Sequence, residues 1–347
     1  MKKYLLPRNG KFYKANMHTH TTVSDGKFTP EEAKERFKSM GYSIVAFTDH
    51  EVMVPQNQLR DESFLPITSY ELAVSNGAWN PSAKCYHLNY YSADPDRTVT
   101  KTFCAARVWG NAKQYVTEEM IASGSESRTY SKEFVQWVVD TAKEEDALIS
   151  FNHPVWSLQD KDDYSGIKGL WGIEWHNTGC TRVGYVDSIL PMVDILREGH
   201  SKQVYPLATD DCHGAADYFG GWIQIKAPSL DYDTIFNALK KGDFYSSNGP
   251  EIKALYLEGD EVVIKTSRAV RVSLATDRRI TSSKCMSDKP LTECRFSIRK
   301  LIDNYLEFPE RGDAWFRIEV IDKAGNTAHT KAYFLNEIGF KPKKRKA

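Results

Sequence analysis

Seven of the nine histidines in this 347-residue chain fall where an apolar run gives way to a short polar group. His18 and His20 stand in Met17-His18-Thr19-His20-Thr21, shortly before Ser24-Asp25-Gly26, and His50 closes the run Ile44–Phe47 as Asp49-His50. His87 lies in Cys85-Tyr86-His87-Leu88-Asn89, after Glu71, and His153 follows Ala147–Phe151 in Asn152-His153-Pro154. His176 follows Leu170–Trp175, and His213 ends Asp210-Asp211-Cys212-His213. A His-x-His pair in an extended segment puts two imidazoles on one face, about 6–7 Å apart, where both can grip one cation. The interleaved carboxylates Asp25, Glu71 and Asp211 can bridge or neutralise several cations packed together. Mixed imidazole and carboxylate donors favour zinc, manganese or iron over magnesium or calcium. One histidine alone is ordinarily a satisfied core or surface residue. Seven at strand ends, several within two residues of an aspartate, form a metal-binding pattern. His200 and His329 are read as structural, His200 as favouring a helix C-terminus electrostatically.

The elements that must position these groups are legible as an alternation. Thr29 can cap a helix with Pro30 in its first turn and Glu32 completing a capping box, Ala33, Phe37 and Met40 on one face and Gly41 as the stop. The strand pattern Tyr42–Phe47 follows at once. Ser131 opens a second helix before the strand Ala147–Phe151, a third around Asp187–Glu198 precedes Val204–Ala208, and Asp231–Lys241 is closed by Gly242. Such alternation implies parallel strands in an α/β layer or barrel, whose strand C-termini are where sites are built. After Asn248-Gly249-Pro250 short alternating runs appear, with a hairpin joining Val320-Ile321-Asp322 to Ala328–Phe334. The organisation expected is an α/β domain over 1–249 with an insertion or lid at about 97–130, a small antiparallel β-sandwich over 250–340, and a solvated basic tail over 341–347.

Lys+Arg and Asp+Glu both number 46, so no global charge draws the chain to long nucleic acid or an anionic membrane. At 41% hydrophobic and 27% charged residues, a substantial core is expected. No apolar run approaches the roughly 18 residues of a membrane helix. Tyr4-Leu5-Leu6 before Pro7 is too short for a signal-peptide core, and six cysteines without C-x-x-C spacing suit a reducing cytoplasm. No Gly-x-Ser-x-Gly elbow and no P-loop occurs, so serine acyl transfer and nucleotide-driven motors have no support.

In their order along the chain, His18-x-His20, Ser24-Asp25-Gly26, Thr48-Asp49-His50, Glu71, Asn152-His153-Pro154 and Asp211-x-His213 resemble the motifs of the polymerase and histidinol phosphatase (PHP) superfamily. Tyr86–Asn89, Gly172-Ile173-Glu174 and Lys240–Pro250 resemble its CehA/McbA branch of metallohydrolases. The resemblance implies a distorted seven-stranded (β/α)7 barrel holding two or three divalent metal ions. It implies that His18, His20, Glu71 and Asp211 hold a first ion. Glu71 would bridge to a second, also held by His153 and His87, and Asp25, His50 and His213 would hold a third. Trp175-His176 departs from the usual pattern there, which leaves His176 as a group for substrate contact or proton transfer or as a buried structural residue. Thr209-Asp210 also departs, at positions not expected to be ligands.

The first function implied is a phosphoesterase acting on a small phosphorylated metabolite or nucleotide through metal-activated water. Asp211 and His176 would serve the chemistry, and cations at the mouth (Arg107, Arg128 and Arg182, with Lys84 nearby) would hold the substrate. The second is a CehA-like ester, carbamate or amide hydrolase, with tryptophans such as Trp109, Trp156 and Trp175 lining a pocket for an aromatic substrate. The third is a metal-binding module without catalysis. Substrate, native metal and oligomeric state are left open by the sequence.

Overall fold

The computed structural model describes residues 2–78, 80–199 and 204–341, so His200, Trp79 and the tail beyond Lys341 lie outside the described residues. Strands β1 (Lys2–Tyr4), β2 (Lys11–Asn16), β3 (Tyr42–Phe47), β4 (Leu65–Ser75), β5 (Cys85–Ser92), β6 (Ala147–Phe151), β7 (Gly172–Asn177), β8 (Tyr205–Thr209), β9 (Trp222–Ala227) and β10 (Phe244–Ser247) form the first part of the chain. Then follow β11 (Ile252–Glu258), β12 (Glu261–Ala269), β13 (Arg271–Thr276), β14 (Ser282–Cys285), β15 (Leu291–Ser297), β16 (Trp315–Ile321), β17 (Thr327–Thr330) and β18 (Tyr333–Phe334).

Helices sit where their caps put them. Thr29 and Glu32 make the reciprocal capping box of the helix Pro30–Ser39, whose Ala33 and Phe37 pack on Tyr42, Val45 and Phe47. Ser131 caps Lys132–Glu144, and Asp231 caps Tyr232–Lys241, which stops at Gly242 with φ 63°. The helix expected from Asp187 starts instead at Leu190, with Pro191 in its first turn, where a missing N–H costs nothing.

A large mixed sheet runs in the order β14-β13-β16-β17-β10-β9-β2-β3-β4-β5-β6-β7-β8. The expectation of parallel strands holds for β2-β3-β4 and for β6-β7-β8, but β5 runs antiparallel to both β4 and β6. The expected closed barrel is not formed by a continuous ladder either. The outer edge of β2 is taken by β9, which pairs with it antiparallel from Lys11 to Ala15. β8 meets the chain beyond β2 at an isolated parallel bridge, Thr19 to Cys212, flanked by Asp211 N–H to His18 O (2.9 Å) and His20 N–H to Cys212 O (3.1 Å). The seven strands β2 to β8 are therefore drawn together at one rim, the rim that carries the histidines. Gly221 lies against this seam, and a Cβ there would stand 2.4 Å from Thr209 O.

The N-terminal strand β1 joins β11, β12 and β15, from beyond residue 250, in a smaller antiparallel sheet of order β1-β11-β12-β15. Its inward residues Leu255, Leu257, Val262, Ile264 and Phe296 share one core with Val272, Leu274, Phe316, Ile318 and Val320 of the large sheet, a two-layer arrangement. The segment Lys2–Tyr4 pairs with β11, and β10 pairs with β17 through Tyr245–Thr330, Ser246–His329 and Ser247–Ala328. Among the described residues no helix is long and apolar enough to cross a membrane.

Candidate metal centre

All nine residues expected as metal ligands converge on the rim. Glu71 is central: Oε1 lies 3.2 Å from His87 Nδ1, 3.3 Å from His18 Nε2 and 3.6 Å from His153 Nε2, and Oε2 lies 3.2 Å from His50 Nδ1 and 3.4 Å from His20 Nε2. Asp211 Oδ1 lies 3.0 Å from His20 Nε2, 3.3 Å from His18 Nε2 and 3.6 Å from His213 Nδ1. Asp25 faces His213 Nε2 at 3.3 Å, His20 Nδ1 at 3.5 Å and His50 Nε2 at 3.9 Å. The donors form four overlapping groups: His20 with Asp25, His50 and His213; His18 with His153 and Asp211; His18 and His20 with Glu71; and Glu71 with His87 and His153.

These spacings fit a cation. Four donors at tetrahedral metal–ligand distances stand about 3.4 Å from one another. Nε2 of His18 and Nε2 of His20 approach to 3.2 Å, and His20 Nδ1 and Asp211 Oδ1 are buried without a hydrogen-bond partner among the described residues. Buried polar atoms are seldom left so, and a bound ion is the usual remedy.

The strand ends explain how the donors reach one place. His50 and Glu71 form an isolated bridge between the ends of β3 and β4. His87 lies near the start of β5, and because β5 runs antiparallel that end is at the same rim. His153 (φ 28°) and Asp211 (φ 54°) adopt left-handed backbone just past their strands, and Glu51 (φ 67°) does so beside His50. Non-glycine residues held there carry strain of about 1–3 kcal/mol each, typical of sites fixed by their surroundings.

The charge balance is tight. Burial alone would push the imidazolium of His18 down, but the carboxylates of Asp211, Glu71 and Glu174 outweigh it and hold its pKa well above 6.5. Against the same burial penalty, the adjacent carboxylates of Asp211 and Glu71 raise His20 to about 10, and Glu71 raises His87 well above its ordinary value. Glu71 and Asp211 are held well below the carboxylate range because the surrounding imidazoles overcome the cost of burial. Burial pushes His50 the other way, down to about 3.

Above the donors lies a cavity of about 750 Å³ whose wall includes Asp25, His50, Glu71, His87, His153, Asp211 and His213. Arg107 and Arg182 stand in that wall, Arg182 with Nε on Asp217 Oδ1 at 2.6 Å. Trp109 and Trp156 line it too, with ring centroids 5.5 Å from His50 and 4.9 Å from His153 respectively. Lys84 is outside it, bound to Asp160 and Asp163. Arg128, expected to hold substrate, is instead fully enclosed and paired with Glu51 at 2.5 Å, because the insertion folds its guanidinium inward. His176 is also absent from the cavity wall: Nδ1 lies 2.8 Å from Asp187 Oδ2 and Nε2 3.1 Å from Thr178 Oγ1. A register shift between Glu174 and His176 in the β7–β8 ladder accounts for this, since a bulge re-aims the side chain that follows it.

Glu174 belongs to the site although the sequence assigns it no role there. Its Oε1 accepts from His18 Nδ1 (2.7 Å) and Thr209 Oγ1 (2.7 Å), and Oε2 accepts from the His153 N–H (2.9 Å) and Asn177 Nδ2 (2.9 Å). The bond to His18 fixes which ring nitrogen faces the cluster. Asn152 does a similar service for Glu71, donating to Oε1 at 2.8 Å. The available signal was a lone carboxylate in the apolar run Leu170–Trp175. Glu174→Gln is expected to weaken metal affinity about 10–100-fold while the fold persists, since such outer partners orient the ligand. Competitive chelator titration measures this, and an unchanged affinity would remove Glu174 from that role.

Residues 16–146 match the family model described as PHP domain, a segment that contains His18, His20, Asp25, His50, Glu71 and His87. The match spans less than half of the chain. No curated protein matches the sequence. Among solved structures the chain is similar to a two-domain protein from Bacteroides vulgatus described as containing a predicted PHP-like metal-dependent phosphoesterase (13% identity, 96% of this chain and 97% of that one, TM-score 0.45). It is also similar to an amidohydrolase from Chromobacterium violaceum (15% identity, 58% and 88%, TM-score 0.37). A third is a lesion-specific endonuclease from Pyrococcus furiosus (14% identity, 66% and 56%, TM-score 0.39).

Proposed function

We propose that this chain is a metal-dependent phosphoesterase acting on a small phosphorylated metabolite or nucleotide. The observation that carries the reading is the set of nine histidine and carboxylate donors, seven of them in the wall of a 750 Å³ cavity that also carries two guanidinium groups. Two or three manganese, zinc or iron ions held by these donors would supply an activated water and neutralise charge on the transferring group. His18, His20, Glu71 and Asp211 are the residues for one ion, Glu71, His87 and His153 for a second, and Asp25, His50 and His213 for a third. Arg107 and Arg182 would bind the phosphate oxygens, as guanidinium groups do in paired hydrogen bonds. Asp211, ionised and facing four histidines, would hold the reacting centre in register. His176, with both ring nitrogens engaged away from the cavity, takes a structural part in this scheme.

Trp109 and Trp156 favour a second reading, a CehA-like ester, carbamate or amide hydrolase whose aromatic substrate packs on these rings. Rates with p-nitrophenyl phosphate, its bis-ester and p-nitrophenyl acetate, on Mn- or Zn-loaded protein, separate the two. Phosphate-ester turnover that disappears in His153→Ala supports the first. Acetate-only turnover lost in the same variant replaces it with the second, and no turnover on any of the three counts against both.

A further inference from the structure

The guanidinium of Arg128 joins three segments. Nη1 donates to Glu51 Oε2 (2.5 Å) and to Ala73 O (3.1 Å), and Nη2 donates to Thr102 O (2.9 Å). Glu51 completes the junction: Oε1 accepts from the Ala73 N–H (3.0 Å), and its own N–H donates to Glu71 O (2.8 Å). The first segment is the turn carrying His50, the second is β4 carrying Glu71, and the third is the insertion carrying Arg107 and Trp109. Arg107 Nη2 in turn reaches Arg128 O at 3.4 Å, and the Trp109 ring rests near that of His50. A buried ion pair is weak evidence for stability, since apolar residues of similar volume often serve as well. What it supplies is direction, because a planar fork accepts partners only along fixed lines.

We propose that Glu51 and Arg128 form a positioning clamp that sets the insertion over the donor cluster, aligning Arg107 and Trp109 with His50 and Glu71. Both Glu51 oxygens are occupied and Arg128 is enclosed, so the pair acts through the groups it holds. The part of this inference that concerns substrate rests on the phosphoesterase reading. The part that concerns the insertion does not.

The test uses metal-loaded full chains carrying Arg128→Lys or the paired Glu51→Gln/Arg128→Met, which leaves no lone buried charge. Three measurements are made: hydrogen–deuterium exchange, metal content, and calorimetric binding of inorganic phosphate. Faster exchange confined to residues 100–116, with β3 and β6 unchanged and metal content retained, is the expected result. Phosphate affinity should fall about tenfold, and Arg128→Lys should add nothing in an Arg107→Ala background, the non-additivity of groups acting in series. Unchanged exchange over 100–116, or loosening spread across the whole sheet in both variants, overturns the clamp. Additive losses of phosphate affinity overturn its role in placing Arg107. Absence of phosphate binding by the unaltered protein counts against the phosphoesterase reading, while the exchange result still decides the clamp.

Discussion

On the phosphoesterase reading proposed above, Glu71→Gln is expected to lower activity by a factor on the order of 10³ and to cost at least one bound ion per chain. The size of the effect follows from geometry. One carboxylate serves five imidazoles, with Oε1 facing His18, His87 and His153 and Oε2 facing His20 and His50. Glutamine keeps the shape but removes the charge and turns one acceptor into a donor, so it cannot bridge two cations. Asn152 Nδ2, which now donates to Oε1, would then face either an oxygen with less charge or another N–H. β4 keeps its ladders to β3 and β5, so circular dichroism should be unchanged. The checks are elemental analysis of the purified variant and its kcat. Full metal content with activity within tenfold of the unaltered protein would contradict a bridging role.

Metal loading is expected to release protons and to strengthen steeply with pH. Against the cost of burial, the carboxylates of the cluster raise the proton affinity of His18, His20 and His87, with His20 raised to about 10. A raised pKa means that the folded site binds the proton more firmly than water does, so a cation must displace it. Apparent affinity should therefore rise about tenfold per pH unit for each proton displaced, and fall as pH drops. Burial has already pushed His50 down to about 3, so this residue should contribute none of the released protons. Calorimetry in two buffers of different ionisation enthalpy, at pH 6 and 8, counts the protons. Equal heats in both buffers would show that the cluster binds its ions without proton exchange and that the electrostatic account is wrong.

Much of this centre was written locally in the chain. The polar groups ending apolar runs at His18, His50, His153 and His213 mark strand ends directly, and the caps at Thr29, Ser131 and Asp231 mark the helices between them. What was not legible depends on pairing. The run Cys85–Ser92 reads the same in either direction, so nothing local shows that β5 is antiparallel and brings His87 to the rim from its first turn of strand. The hold of β9 on the outer edge of β2 is likewise a matter of partners distant in sequence, and it decides that no continuous ladder closes the ring. His176 looks like its strand-end companions until the shift between Glu174 and His176 turns it toward Asp187. Arg128 looks like a surface cation because its partner Glu51 lies 77 residues away.

The pairing of β10 with β17 has a mechanical consequence. Backbone hydrogen bonds run without interruption from the strands beside the donor cluster into the C-terminal layers. Trp175, between Glu174 and His176, donates through Nε1 to Ser246 Oγ at 2.9 Å and packs edge-on against His329 of β17. A seam stitched in this way resists hinging between the two halves. Moving the two halves apart would require breaking these pairs. The C-terminal layers then work as a brace for the strand whose Glu174 steers His18.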